Sequence, residues 1–167
     1  GTTYTITYTV SGLTVATAAV TVALTCAAGG TCSLGDTGPG GGKIFYKATT
    51  PFACGPTRSA TCTYLEAAPA LWFAGLADPT RRWAKTTHQN TAVNNATSPE
   101  TATATEIGWG YRNTRAIILQ GNSDTATSAA ALADSHTVTV SGVVYDDWFL
   151  PSKDELAQLY SQKETVG

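Results

Sequence analysis

The sequence is short of charge. Asp, Glu, Lys and Arg make up only 13% of its 167 residues, about half the usual share for a soluble domain. The net charge is −2, and Arg81-Arg82 is the one adjacent basic pair. Binding a phosphate backbone takes several clustered cations, so nucleic acid is not an expected partner. Long hydrophobic runs are also missing. Leu13 to Leu24 is the longest apolar-leaning stretch, and Thr14, Thr17 and Thr21 break it. A membrane span takes about 20 apolar residues, so no membrane insertion is expected. No charged start leads into an apolar core, so no signal peptide is read. Met is absent and the chain opens at Gly1, from which a piece of a longer product is expected. No G-x-S-x-G, no H-E-x-x-H and no Cys/His pair with catalytic spacing occurs, which leaves no recognised hydrolase or zinc-protease motif.

What replaces charge is mostly Thr and Ala, with 30 Thr in the chain. Such a composition is more typical of β-rich extracellular proteins than of cytosolic enzymes. The four cysteines fall into two close pairs, Cys26/Cys32 and Cys54/Cys62, spaced C-x5-C and C-x7-C. Zinc knuckles use C-x2-C or C-x4-C, which are absent. The even count and paired spacing favour two local disulfides over the other connectivities and over four buried thiols. Disulfides in turn point to an oxidising, extracellular location.

Ser33 to Tyr46 reads S-L-G-D-T-G-P-G-G-G-K-I-F-Y. A P-loop requires G-x-x-x-x-G-K-[ST] before a helix, but Gly42-Lys43 is followed by Ile44 and a strand-like run. Gly35, Gly38 and Gly41 keep a collagen period for only three steps. The remaining reading is a structural turn, formed by Gly35, Asp36, Gly38, Gly40, Gly41 and Gly42, with positive φ at several positions. Within it Asp36 and Thr37 can bond back to the backbone.

Thr3 to Val10 alternates strictly, placing Tyr4, Ile6, Tyr8 and Val10 on one face, and is the clearest strand. Ser11-Gly12 signals a turn, and Val15 to Thr25 suggests the partner strand. Lys43 to Lys47 and Cys62 to Ala68 read as strands, with loop from Ala48 to Ala60. Ala70 to Thr105 is loop-like, anchored by Trp72, Phe73 and Trp83, and holds a glycosylation acceptor pattern at Asn95-Ala96-Thr97. Thr114 is read as the N-cap of a helix over Arg115 to Gln120, closed by Gly121. Asp124 is read as the cap of a second, Thr125 to Ala133. Thr137 to Val144 is β-like. Ser152 and Glu155 form a capping box for the last helix, with Asp154 in its first turn. Leu156, Leu159 and Tyr160 share one face of it.

Four segments in order, L-G-D-T-G-P-G-G-G-K-I-F-Y, Y-L-E-A-A-P, I-G-W-G-Y-R-N-T and D-W-F-L-P-S-K-D-E-L-A-Q-L-Y, resemble the signature segments of the Lcl C-terminal domain family. That family is named for the C-terminal domain of a bacterial collagen-like adhesin. The resemblance covers about residues 26–160. It implies an extracellular bacterial module with an α+β, C-type-lectin-like fold, a twisted antiparallel sheet and short helices. The named member binds sulfated glycans and supports adhesion. Family domains continue past the last helix into a further β half, so a truncated domain over 26–167 is expected here. Residues 1–25 are extra to the family pattern. They are expected to form a strand pair, acting as an intersubunit strand or ending a preceding immunoglobulin-like module.

The carboxylates nearest to these motifs are Glu66, Asp146 and Asp147. A glycosidase places two carboxylates across a cleft at a set distance, which no sequence spacing here defines. Glu66 is read as a buried structural acid, and Asp147 as satisfying backbone amides beside Trp148. His88 and His136 carry no motif, and His88 is read as solvated. Trp109, Tyr111, Arg112 and Asn113 form an aromatic-polar cluster suited to glycan stacking, with core packing of Trp109 and Tyr111 as the other reading. The E-P-N and Q-P-D calcium triplets of sugar-binding lectins are absent. Asp36, Asp146 and Asp147 offer oxygen ligands for calcium without a defining spacing. The expectation is therefore a non-catalytic extracellular structural or adhesive module without a required cofactor, self-associating or joined to neighbouring domains. Assembly would use β-strand addition, and the alternative is a glycan-binding adhesin domain.

Overall fold

The computed structural model describes residues 2–8, 16–22, 24–93 and 104–167. Strand β1 (Thr2–Tyr8) pairs antiparallel with β2 (Ala16–Val22), from Thr2 opposite Val22 to Tyr8 opposite Ala16. The alternating Thr/Tyr/Ile pattern suits a pleated ribbon, since β-branched and aromatic residues favour extended backbone. The expected Ser11-Gly12 turn and Asn95-Ala96-Thr97 lie outside the described residues.

Strands β3 (Lys43–Cys54) and β4 (Ala60–Ala67) form a second antiparallel ribbon. The expectation that Ala48 to Ala60 is loop is overturned, because β3 runs on to Cys54. Its register slips between Ile44 and Tyr46 and again between Lys47 and Phe52. Pro51 falls inside the second slip, a site where a residue without an N–H is tolerated in a strand. Past it the ladder resumes, with Phe52 opposite Cys62 and Cys54 opposite Ala60. The Cys54–Cys62 disulfide ties this end of the ribbon. The other bond, Cys26–Cys32, closes a loop. There the two buried cysteines and Ile44 form a small core, with the half-buried Tyr64 against it.

The helices are short. Helix α1 (Gly110–Leu119) starts five residues earlier than the expected Arg115. Thr114, expected as its cap, is instead fully buried within it. Its hydroxyl donates to the Gly110 carbonyl (2.9 Å) and accepts from the Leu150 N–H (3.0 Å). Helix α2 (Ala129–Asp134) is capped by Ser128, whose Oγ accepts from the Ala131 N–H. Asp124, expected as that cap, organises the preceding turn by accepting from the Ala126 N–H and the Thr127 hydroxyl. Strands β5 (Val138–Val140) and β6 (Val143–Tyr145) form a third hairpin. Its tip is Ser141-Gly142, both at positive φ, which matches the right-handed twist of hairpin strands. Helix α3 (Lys153–Ser161) carries the capping box, and α4 (Lys163–Val166) follows.

The chain is thus α+β, with short helices and antiparallel strands. One twisted sheet was expected. The described strands instead form three separate two-stranded ribbons. Helices α3 and α4 pack on β3, and α1 packs on α2.

Candidate functional site

The glycine turn folds over β4. Gly35 donates to the Ile44 carbonyl, Ile44 to Asp36, Gly38 to Gly42 and Gly41 to Gly38, all within 2.8–3.0 Å. Asp36 Oδ2 accepts from the Ser33 N–H at 2.8 Å, and Thr37 Oγ1 accepts from Lys43 Nζ at 3.2 Å. Two amides are left pointing inward, and the Glu66 carboxylate fills the space between them. Its Oε1 accepts from the Gly40 N–H and its Oε2 from the Gly42 N–H, each at 3.1 Å. A Cβ on Gly38 would collide with the Glu66 carboxyl group, so any side chain there would push Glu66 out of its place. The indole of Trp148 lies beside Gly40. Burial pushes the Glu66 carboxyl above its ordinary value, and the nearby charge of Asp147 adds to this, while the two amides pull it down. The glycines are therefore spent on an internal carboxylate.

A second cradle of the same kind holds Glu155, which is completely buried. Its Oε1 accepts from the Gly108 N–H at 2.7 Å and the Gly110 N–H at 3.4 Å, and its Oε2 from the Ser152 N–H at 2.7 Å. The capping box thus does more than start α3. It brings acceptor oxygens to the start of α1, where the helix leaves N–H groups free. A Cβ on Gly110 would strike both Glu155 and Phe149. Ser152 Oγ donates to the Glu106 carbonyl and the Asp154 N–H donates to Thr105, which ties residues 105–110 to α3. Sequence reasoning recognised the box and missed the cradle.

The residues marked for glycan stacking all engage the protein itself. Trp109 precedes α1 and is half-buried. The Arg58 guanidinium lies 4.0 Å from its ring centroid and that of Arg112 lies 5.2 Å away. Tyr111 stacks on Phe149, with centroids 5.6 Å apart and planes within 6°. Arg112 and Asn113 are buried, and Asn113 Nδ2 donates to the Ala104 carbonyl at 2.7 Å. Arg58, at positive φ in the β3–β4 turn, had no signal in the sequence.

The remaining polar candidates are scattered. Asp147 is exposed and makes no described hydrogen bond, so its expected role of satisfying amides falls to Glu66 and Glu155 instead. His88 is half-buried rather than solvated, with Nδ1 3.0 Å from the Oδ1 of the buried Asn122. His136 sits between Trp72 and Trp148, with centroids 4.8 and 5.4 Å away. Burial lowers its pKa from the ordinary value. Among the described residues no group of three or more His, Cys, Asp or Glu is placed to hold a metal ion, so Asp36, Asp146 and Asp147 are not gathered into a calcium site.

Comparisons with family models, with curated proteins and with solved structures each found no match. Two disulfides fit a secreted or extracellular protein. Among the described residues no helix is long and apolar enough to cross a membrane.

Proposed function

We propose that this chain is a non-catalytic, extracellular bacterial module with a structural or adhesive role, joined to neighbouring copies by β-strand addition. The observation that carries this reading is the β1–β2 ribbon, whose strands, among the described residues, pair only with each other. A lone two-stranded ribbon is marginal in water, and an alternating strand with unpaired edges is a template for pairing with another chain. The two disulfides support an oxidising location. The two cradles filled by Glu66 and Glu155 support a scaffold role, since both commit their carboxylates to holding backbone. The segments quoted above for the Lcl C-terminal domain family support the finer assignment, a C-type-lectin-like core in a bacterial surface protein.

Light scattering with mass resolution over a concentration series tests the reading. The full chain is expected to gain mass with concentration, and removal of residues 3–10 to abolish the gain. A monomer at every concentration, unchanged by the removal, refutes it.

A further inference from the structure

Resting on that reading, we propose that the acceptor for the β1–β2 ribbon is the free edge of β4 in a second copy of this chain, with β1 as the strand that pairs. Each described ribbon has two strands, so each strand has a side that no other described strand covers. Strand β3 is protected in three ways. Its register is broken twice, it carries Lys43, Lys47 and Pro51, and α3 and α4 pack against it. Bulges, lysines, prolines and covering helices are the devices that keep an edge from pairing. Strands β5 and β6 span three residues each, too few for a stable added ladder.

Strand β4 has none of these protections along its eight residues, A-T-C-T-Y-L-E-A. It holds no Pro and no Lys. Its one charged side chain, Glu66, is turned into the glycine cradle and does not guard the edge. Among the described residues no strand pairs with its far side, and none of its backbone groups bonds to a turn or loop. The Cys54–Cys62 disulfide holds one end of the ribbon and the Glu66–glycine contacts hold the other, so the edge is presented stiffly. Ordering it on binding therefore costs little entropy.

The ribbon fits that edge in length and chemistry. β1 has seven residues against the eight of β4, and neither β1 nor β2 contains a charge or a proline. Of the two, β1 is the stronger strand former, with Thr, Tyr and Ile throughout, where β2 has three alanines. Aromatic and β-branched cross-strand pairs contribute most to such a ladder, and β4 offers Thr61, Thr63 and Tyr64. Each copy carries one donor and one acceptor, so the contact is head-to-tail.

Hydrogen–deuterium exchange of the full chain at low and high concentration, read by mass spectrometry alongside light scattering, tests the assignment. Assembly is expected to slow exchange over residues 60–67 by about tenfold or more, and to leave 143–145 unchanged. Thr61→Lys, at an exposed position on β4, is expected to weaken association about tenfold while leaving the circular dichroism spectrum unaltered. Ile6→Pro in β1 should abolish both association and protection. If the chain associates but 60–67 exchanges as before and Thr61→Lys has no effect, β4 is not the acceptor and strand addition elsewhere stands. If the full chain does not associate, both this assignment and the reading beneath it fail.

Discussion

Replacing Glu155 should unfold more of this protein than any exposed substitution. The side chain is fully buried and accepts from three backbone N–H groups, those of Gly108, Gly110 and Ser152. Glu155→Ala removes both acceptor oxygens and leaves three donors without partners. A buried unsatisfied donor costs about 1–3 kcal/mol. The 3.4 Å contact to Gly110 is the weakest, and some relaxation and water entry will offset part of the sum. The expected loss is about 3–5 kcal/mol, in the range found when one side of a buried charged contact is removed. At this chain length that corresponds to a fall in Tm of about 10 °C or more. Glu155→Gln keeps the shape and one acceptor oxygen, but turns an NH2 toward an amide donor, and should cost about 1–3 kcal/mol. Urea unfolding followed by tryptophan fluorescence measures both, with Leu156→Ala as an exposed control expected within about 0.5 kcal/mol of the parent. An alanine variant as stable as that control would refute the account of how residues 105–110 and α3 are joined.

Gly38→Ala should cost about 1–3 kcal/mol by forcing Glu66 out of its amides, whereas Gly142→Ala meets no atom within 4 Å and bears only the strain of its φ of 82°; thermal melts of the pair separate crowding from strain. The Glu66 carboxyl is raised above the ordinary 4.5 by burial first, so the folded form holds its proton more tightly than the unfolded one. Its contribution to stability is then fully present below pH 4.5 and declines as pH rises through the folded value; Glu66→Gln should flatten that part of a stability–pH curve. His136 has the opposite sign. Burial lowers its pKa from 6.5, so stability is retained above that pH and lost as pH falls through the folded value, a slope that His136→Phe should remove. Reduction of the two disulfides, which close loops with separations of 6 and 8 residues, should cost about 2.5 kcal/mol each on the chain-entropy estimate, measured by denaturation with and without reductant.

Local pattern carried much of the architecture. Strict alternation in Thr3 to Val10 predicted a strand because side chains of extended backbone alternate in direction, and β1 occupies Thr2–Tyr8. Close cysteine spacing predicted the two bonds because short loops bring their ends together readily. The S-x-x-E box is a matter of adjacent residues, and α3 starts where it says. The glycine run was legible as a turn, since its alternatives each demanded a motif it lacks. By contrast, the extension of β3 past Pro51 depended on a register slip that no propensity encodes.

What the sequence determined by itself, then, is whatever a few neighbouring residues can settle: alternation, capping, short loop closure and backbone freedom. What tertiary structure alone decided is where the charges and helix ends go. Helix α1 begins at Gly110, a poor helix former, because a carboxylate 45 residues away accepts from its first N–H. The glycine turn needs bare backbone because Glu66 comes to it from β4. Trp109 is stacked because Arg58 arrives from another hairpin. Each of these is a contact between segments distant in the chain, whose free energy appears only once both ends are held in place and water is excluded from between them.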